Sequence, residues 1–452
     1  MNRLSFFRPH VESLEDRLQP TAVVPLTQAP LPLDPPAAQA VPDSSFHPLG
    51  VVLNNHVEGA GGIGIQAILN STTYVTGAPA AATGRGVALD ADGNSYVVGS
   101  FDDGGPNGSQ AFLAVYDTNG TQILFNTFQA FDSQNSTYQT LNTEAHGVAV
   151  DQVGNIYVVG QTTDGNTGDN DQFLVKFAAD GTTVVYATAL GGPNQDSGNG
   201  VTTEPTPDGA DSNVVFTGIF QDAPGSNNVT VAKLDPAGNV IFAFFYTFTG
   251  ATNGQGNAVA LDGLGSAYVA GSINVNGDSD PLMFKLDSSA GAGVQAAFLP
   301  NPGTDDAFNA VTVDDGGATV NFGGTLGGVN AVVGKFNADL SAAPVYLVSF
   351  ADVTTANGLA SDAAGNVYLA GSATNPDTGT VQAVVVKLDT TGTPADSLFV
   401  GGTGGDSGNA IAYNRNTGVA SLAGTTASPD LPVTDGSSLI GAADAFFATL
   451  SI

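Results

Sequence analysis

The chain has 452 residues, 42% of them hydrophobic, and contains neither Cys nor Trp. Without Cys there is no disulfide framework, no thiolate metal site and no thiol nucleophile. Against 10 basic residues stand 42 acids, a net charge of −32; that field repels nucleic acid and anionic lipid and favours divalent cations or basic partners.

Residues 1–20 carry "RPHVESLEDRLQP", with Val11, Glu12, Leu14, Glu15, Arg17 and Pro20. This stretch resembles a short N-terminal motif shared by large exported proteins of some bacteria, and the resemblance implies an extracellular or cell-surface location. A short amphipathic helix of no consequence is the competing reading. Between Arg3 and Arg8 only Leu4-Ser5-Phe6-Phe7 intervenes, too short for the apolar core of a secretory signal. No apolar run reaches the roughly 18 residues that a membrane helix needs. Residues 21–50 hold much of the proline ("PLTQAPLPLDPPAAQAVP") and read as an extended linker.

From residue 51 to 452 the chain repeats itself. One phrase, a polar residue followed by a small one and then a short apolar run, recurs with its small residue at Gly86, Gly147, Gly200, Ala258, Ala310, Gly358 and Ala410. The copies lie 48 to 61 residues apart. Each opens with a strand such as "GRGVALD" or "GNAVALD". A second strand such as "NSYVVG" or "NVYLAG" follows, then a third such as "FLVKFA" or "VVVKLD". A weaker fourth follows in several copies, as in "TVVYATA". The segments are short, rich in Val, Phe and Tyr, and bounded by Gly, Asp and Asn, which is the pattern of strands and turns. Four strands in about 50 residues, repeated seven times, describe the blades of a seven-bladed β-propeller. An open stack of repeats would need polar caps at both ends. The last copy stops after its third strand, "DAFFATLSI", and an orphan strand near "ILNSTTYVTG" (68–77) precedes the first copy. The expectation is an all-β, four-stranded antiparallel propeller whose N-terminal strand completes the last blade and closes the ring, removing open edges.

These residues resemble the bacterial seven-bladed beta-propeller (SBBP) repeat. The nearest copy is the last, "AGTTASPDLPVTDGSSLIGAADAFFATL". The resemblance implies an exported or surface protein and no shared chemistry.

The predicted topology sorts the loops. First-to-second and third-to-fourth turns fall on one face, called here the bottom; second-to-third loops and blade connectors fall on the other, the top. Bottom turns such as "DADGN" and "DTNG" read as Asp- and Gly-based turns. A calcium loop at "DADGN" would lack ligands, including the terminal Glu such loops use. The top carries variable, acidic loops, where function tends to sit. Asp164, Asp169 and Asp171 in "DGNTGDND", with Asp278 and Asp280 in "NVNGDSD", are candidate Ca²⁺ ligands; solvated loops are the plainer reading. Each first strand begins with a polar residue: Arg85, His146, Asn199, Asn257, Asn309, Asn357 and Asn409. These are expected around the mouth of the central channel, either binding a small polar ligand or satisfying backbone groups where blades meet. All five lysines, Lys176, Lys233, Lys285, Lys335 and Lys387, share one position. They are expected to pair with Asp151, Glu204, Asp262, Asp314 and Asp362 of their own copies.

Catalysis finds little support. The propeller region has only His56 and His146 as imidazole bases, zinc is disfavoured, and no Gly-x-Ser-x-Gly elbow appears. Two readings follow. One is a non-catalytic, monomeric, exported or cell-surface scaffold whose acidic loops bind an extracellular protein, matrix or polysaccharide, with Ca²⁺ as a candidate cofactor. The alternative is a propeller enzyme, lyase or hydrolase, with its site at the channel mouth near His146 and Arg85.

Overall fold

The computed structural model describes residues 68–452 except 79, 103, 105–107, 130–141, 164–167, 192–193, 207–208, 247–250, 276, 289–294, 299–303, 315, 328–329, 341–343 and 351. The predicted N-terminal motif and linker therefore lie outside the described residues.

The strands form seven four-stranded antiparallel sheets. Six of them use four consecutive strands in chain order. The seventh takes its fourth strand from Ile68–Tyr74, which pairs with Asp444–Ser451 in the register Tyr74↔Phe446 to Ile68↔Ser451. The ring is closed as the orphan strand predicted.

Why these residues make blades is visible in burial. The second and third strands lie in the middle of each sheet and are covered on both faces by neighbouring blades. Their apolar runs are accordingly continuous, and Ser95–Phe101 is buried at every residue. The fourth strand is the outer edge and alternates, with Tyr186 buried and Val185 exposed. Seven apolar clusters occupy the interfaces, each shared by two consecutive blades. One joins Val75, Ala423 and Phe447 of blade seven to Val97, Phe112 and Tyr116 of blade one.

The bottom turns are built as their sequences suggest. Asp151 accepts hydrogen bonds from the backbone N–H of Asn155 and, through its other oxygen, from the Asn155 side chain and the Tyr157 hydroxyl. Asp90 and Asp362 make the same set. Gly154 takes a left-handed φ of +88° in that turn, a conformation without penalty only for Gly.

The lysine pairing holds in three blades and differs in two. Lys233–Glu204, Lys285–Asp262 and Lys335–Asp314 lie at 2.9, 3.5 and 2.9 Å. Lys176 instead reaches Asp211, in the segment inserted into blade three's first turn, at 3.1 Å. Lys387 donates to the Ile452 carbonyl at 3.1 Å. In both cases the ammonium turns to the next blade.

Candidate functional site: the mouth of the central channel

Every first strand breaks register at one shared place, and two of them slip once more nearer their start. The shared slips fall between Gly84/Gly86, Ala145/Gly147, Gly198/Gly200, Gly256/Ala258, Phe308/Ala310, Ala356/Gly358 and Gly408/Ala410. The residue skipped in each case is Arg85, His146, Asn199, Asn257, Asn309, Asn357 or Asn409. A β-bulge leaves one residue out of the ladder and re-aims its side chain. The small residue after it lets the backbones converge: a Cβ on Gly147 would lie 3.0 Å from the Asn199 carbonyl oxygen, and one on Gly358 would lie 3.0 Å from the Ala410 Cα.

The re-aimed side chains run around the mouth as a ring. Asn199 donates to the Gly256 carbonyl at 2.9 Å, Asn257 to Phe308 at 2.9 Å and Asn309 to Ala356 at 3.4 Å. Asn357 donates to Gly408 at 3.0 Å and Asn409 to Gly84 at 2.7 Å. His146 Nδ1 lies 3.0 Å from the Gly198 carbonyl oxygen. Each contact reaches the carbonyl just before the equivalent residue of the next blade, and Asn409 carries the pattern across the closure. Each such bond contributes about 1 kcal/mol net.

Arg85 departs from this ring. Its guanidinium pairs with Glu144 at 3.2 Å, and His146 Nε2 lies 3.6 Å from the same carboxylate oxygen. The nearby His146 ring holds Glu144 below the usual carboxylate range; burial opposes this, and the charge of Arg85 supports it. Ser197 Oγ, 3.3 Å from His146 Nδ1, makes a Ser–His–Glu series. That order is reminiscent of acyl-transfer triads, but the bonding differs. A carbonyl oxygen can only accept, so the proton sits on Nδ1, committed to Gly198. The Ser197 hydroxyl donates to Asn199 Oδ1 at 2.9 Å. Ser407 and Asn409 repeat that bond at 2.8 Å in blade seven, with no histidine. The serine therefore orients an asparagine.

The sequence grouped seven polar residues by repeat position; the structure links His146 and the five asparagines blade to blade and ties Arg85 to Glu144 instead. What sequence reasoning missed was the tie of Glu144 to Arg85 and His146; the alternation of Glu144 and His146 on one strand was the available signal.

The calcium candidates divide. Asp164 lies outside the described residues. Asp169 and Asp280 are buried, while Asp171 and Asp278 are half-buried. Among the described residues no three His, Asp or Glu side chains converge in a manner suited to a metal ion. Three acids of the blade connectors are buried: Asp196, Asp306 and Asp406. Asp406 accepts from Thr426 Oγ1, Ser428 Oγ and the Gly402 N–H. Asp196 accepts from the Gln221 N–H at 2.7 Å. They anchor connectors to blades. Asp102, Asp305, Asp352, Asp377 and Asp430 remain exposed.

Seven four-stranded blades, closed by an N-terminal strand, define a seven-bladed β-propeller. Residues 135–166, which include the strands Thr143–Val150 and Ile156–Thr163, match the SBBP family model, described as "Beta-propeller repeat". No curated protein matches the chain. Among solved structures, Sqt1 from Chaetomium thermophilum is similar at 13% identity and a TM-score of 0.44, over 79% of this chain and 82% of that one. Among the described residues no helix is long and apolar enough to cross a membrane.

Proposed function

We propose that the protein is an exported or cell-surface, non-catalytic scaffold whose acidic top face binds a cationic or Ca²⁺-bridged extracellular partner, protein or polysaccharide. The observation that carries this reading is that the basic residues gather at the bottom and leave the top almost purely acidic. All five lysines lie near the ends of third strands, and Arg415 lies in the turn after Asp406–Asn414, so these cations sit at the bottom. Among the described residues Arg85 is the one Lys or Arg at the top, and it is paired with Glu144. Exposed Asp102, Asp352 and Asp377 face outward there. A surface of one sign steers partners of the other and raises their association rate. The mouth residues support binding over catalysis, since their donors are spent on the next blade.

The test is titration of the immobilised chain with oligolysine and with a glycan array, in Ca²⁺ and in EDTA. Binding is expected to weaken several-fold in the combined variant Asp102→Asn, Asp352→Asn, Asp377→Asn, and to fall with added salt. Binding unchanged by all three substitutions would reject the acidic face. A hydrolytic or lyase activity lost in a folded His146→Ala variant would instead establish the enzyme reading.

A further inference from the structure

In blade five one half-buried carboxylate holds an amine, a carboxamide and the Thr319 hydroxyl. Lys335 Nζ donates to Asp314 Oδ2 at 2.9 Å, and Asn321 Nδ2 donates to Asp314 Oδ1 at 2.6 Å. Lys335 and Asn321 are direct register partners on adjacent strands, Thr319–Leu326 and Asn330–Asn337. Asn321 is 0% exposed and Lys335 6%. The position opposite lysine is Tyr157, Tyr268 or Tyr368 in three other blades and Val215 in a fourth. Only blade five places a carboxamide there. Asn321 Oδ1 has no hydrogen-bond partner among the described residues, an arrangement that costs about 1–3 kcal/mol when such an atom is buried. The carboxamide is thus held through its nitrogen alone.

We propose that Lys335 and Asn321 join autocatalytically in an intramolecular isopeptide bond, with Asp314 as the proton carrier. The Lys335 ammonium passes a proton to Asp314 Oδ2, and the neutral Nζ attacks Asn321 Cγ. Asp314 returns that proton to Nδ2 and takes a second from Nζ. The Cγ–Nδ2 bond then breaks, ammonia leaves, and a Lys335–Asn321 amide remains. No oxidant, metal or cofactor enters the balance. The geometry is apt because one carboxylate touches the nucleophile with one oxygen and the leaving group with the other. Juxtaposition in a fixed core replaces a collision between separate molecules. The two reacting side chains are shielded from water, as their burial shows, and the Tyr346 ring lies 5.6 Å from Nζ.

The measurement is the intact mass of the folded, purified full chain. The proposal expects a mass lower than that of the sequence by about 17 Da, one ammonia. Chymotrypsin, which cuts after Phe322 and Leu326 between the two residues, should release a branched peptide containing both Asn321 and Lys335. Lys335→Arg should restore the full mass. An unmodified mass in the wild-type protein overturns the proposal. So does a loss of the same size that persists in Lys335→Arg, since cyclisation of an asparagine into an imide needs no lysine. The branched peptide is read on the wild-type chain, so the test survives a variant that fails to fold.

Discussion

Gly160 occupies the point where blade two's bulged first strand presses against its second. A Cβ there would run into the Glu144 carbonyl oxygen, and Gly99, Gly218, Gly271, Gly324, Gly371 and Gly424 face the equivalent carbonyls of their own blades. The glycine of each "YVVG"-type phrase is therefore required by the bulge opposite it, and the bulge in turn aims the mouth residue. Gly160→Ala should destabilise by about 2 kcal/mol or more, because neither strand can retreat from a packed interface. Gly263→Ala is the matched control: it lies exposed in a bottom turn, and a Cβ added there would meet nothing within 4 Å. Its effect should stay within about 0.5 kcal/mol of neutral. Urea unfolding midpoints, at unchanged slope, check both. Equal effects at the two sites would mean that the bulge relaxes and does not fix the ring.

The strand Ile68–Tyr74 shows what one element does for the whole. It is the outer strand of blade seven, and its Tyr74 hydroxyl donates to the Ser428 carbonyl at 2.6 Å. Ser71 and Thr449 share a buried hydroxyl contact at 2.6 Å. Removing residues 1–77 would uncover the edge of Asp444–Ser451, a strand buried along nearly all its length. Such an edge pairs with other chains, so the truncated protein should sediment as aggregates under conditions in which the full chain does not. A monomeric truncation of undiminished stability would show that closure is dispensable. This strand was legible because the repeat left a fourth strand without its first three. The lysine contacts were legible only where the partner lay in the same copy, as for Lys233 and Glu204. Lys176 finds Asp211 and Lys387 finds Ile452 in the following blade, a relation that in-copy alignment does not reveal. The mouth residues were legible as a set, since a polar-then-small pair recurs. Their bonding direction was not, because it depends on a bulge that the spacing of apolar residues leaves unmarked.

At the scale of the molecule two electrostatic effects oppose each other as pH falls. The net charge of −32 at pH 7 repels itself across the folded body, and protonation toward the isoelectric point near 4.1 relieves that repulsion. The turn carboxylates act the other way. Hydrogen bonds from Thr183 hold Asp180 down at about 2. The backbone N–H of Thr121 lowers Asp117, and the Thr391 hydroxyl lowers Asp389. A carboxylate whose folded pKa lies below its unfolded value of about 3.9 stabilises the fold above that value. That contribution disappears as pH falls through the folded values. Asp444, raised by burial, has the opposite sign and gains when protonated. The thermal midpoint should therefore rise modestly from pH 7 to about 5 and fall below about pH 4, where the turns lose their acceptors. Sodium chloride should raise the midpoint at pH 7 by screening the repulsion and have little effect at the isoelectric point. A midpoint that kept rising to pH 3 would show that the turn aspartates contribute no stability and that repulsion alone sets the pH dependence.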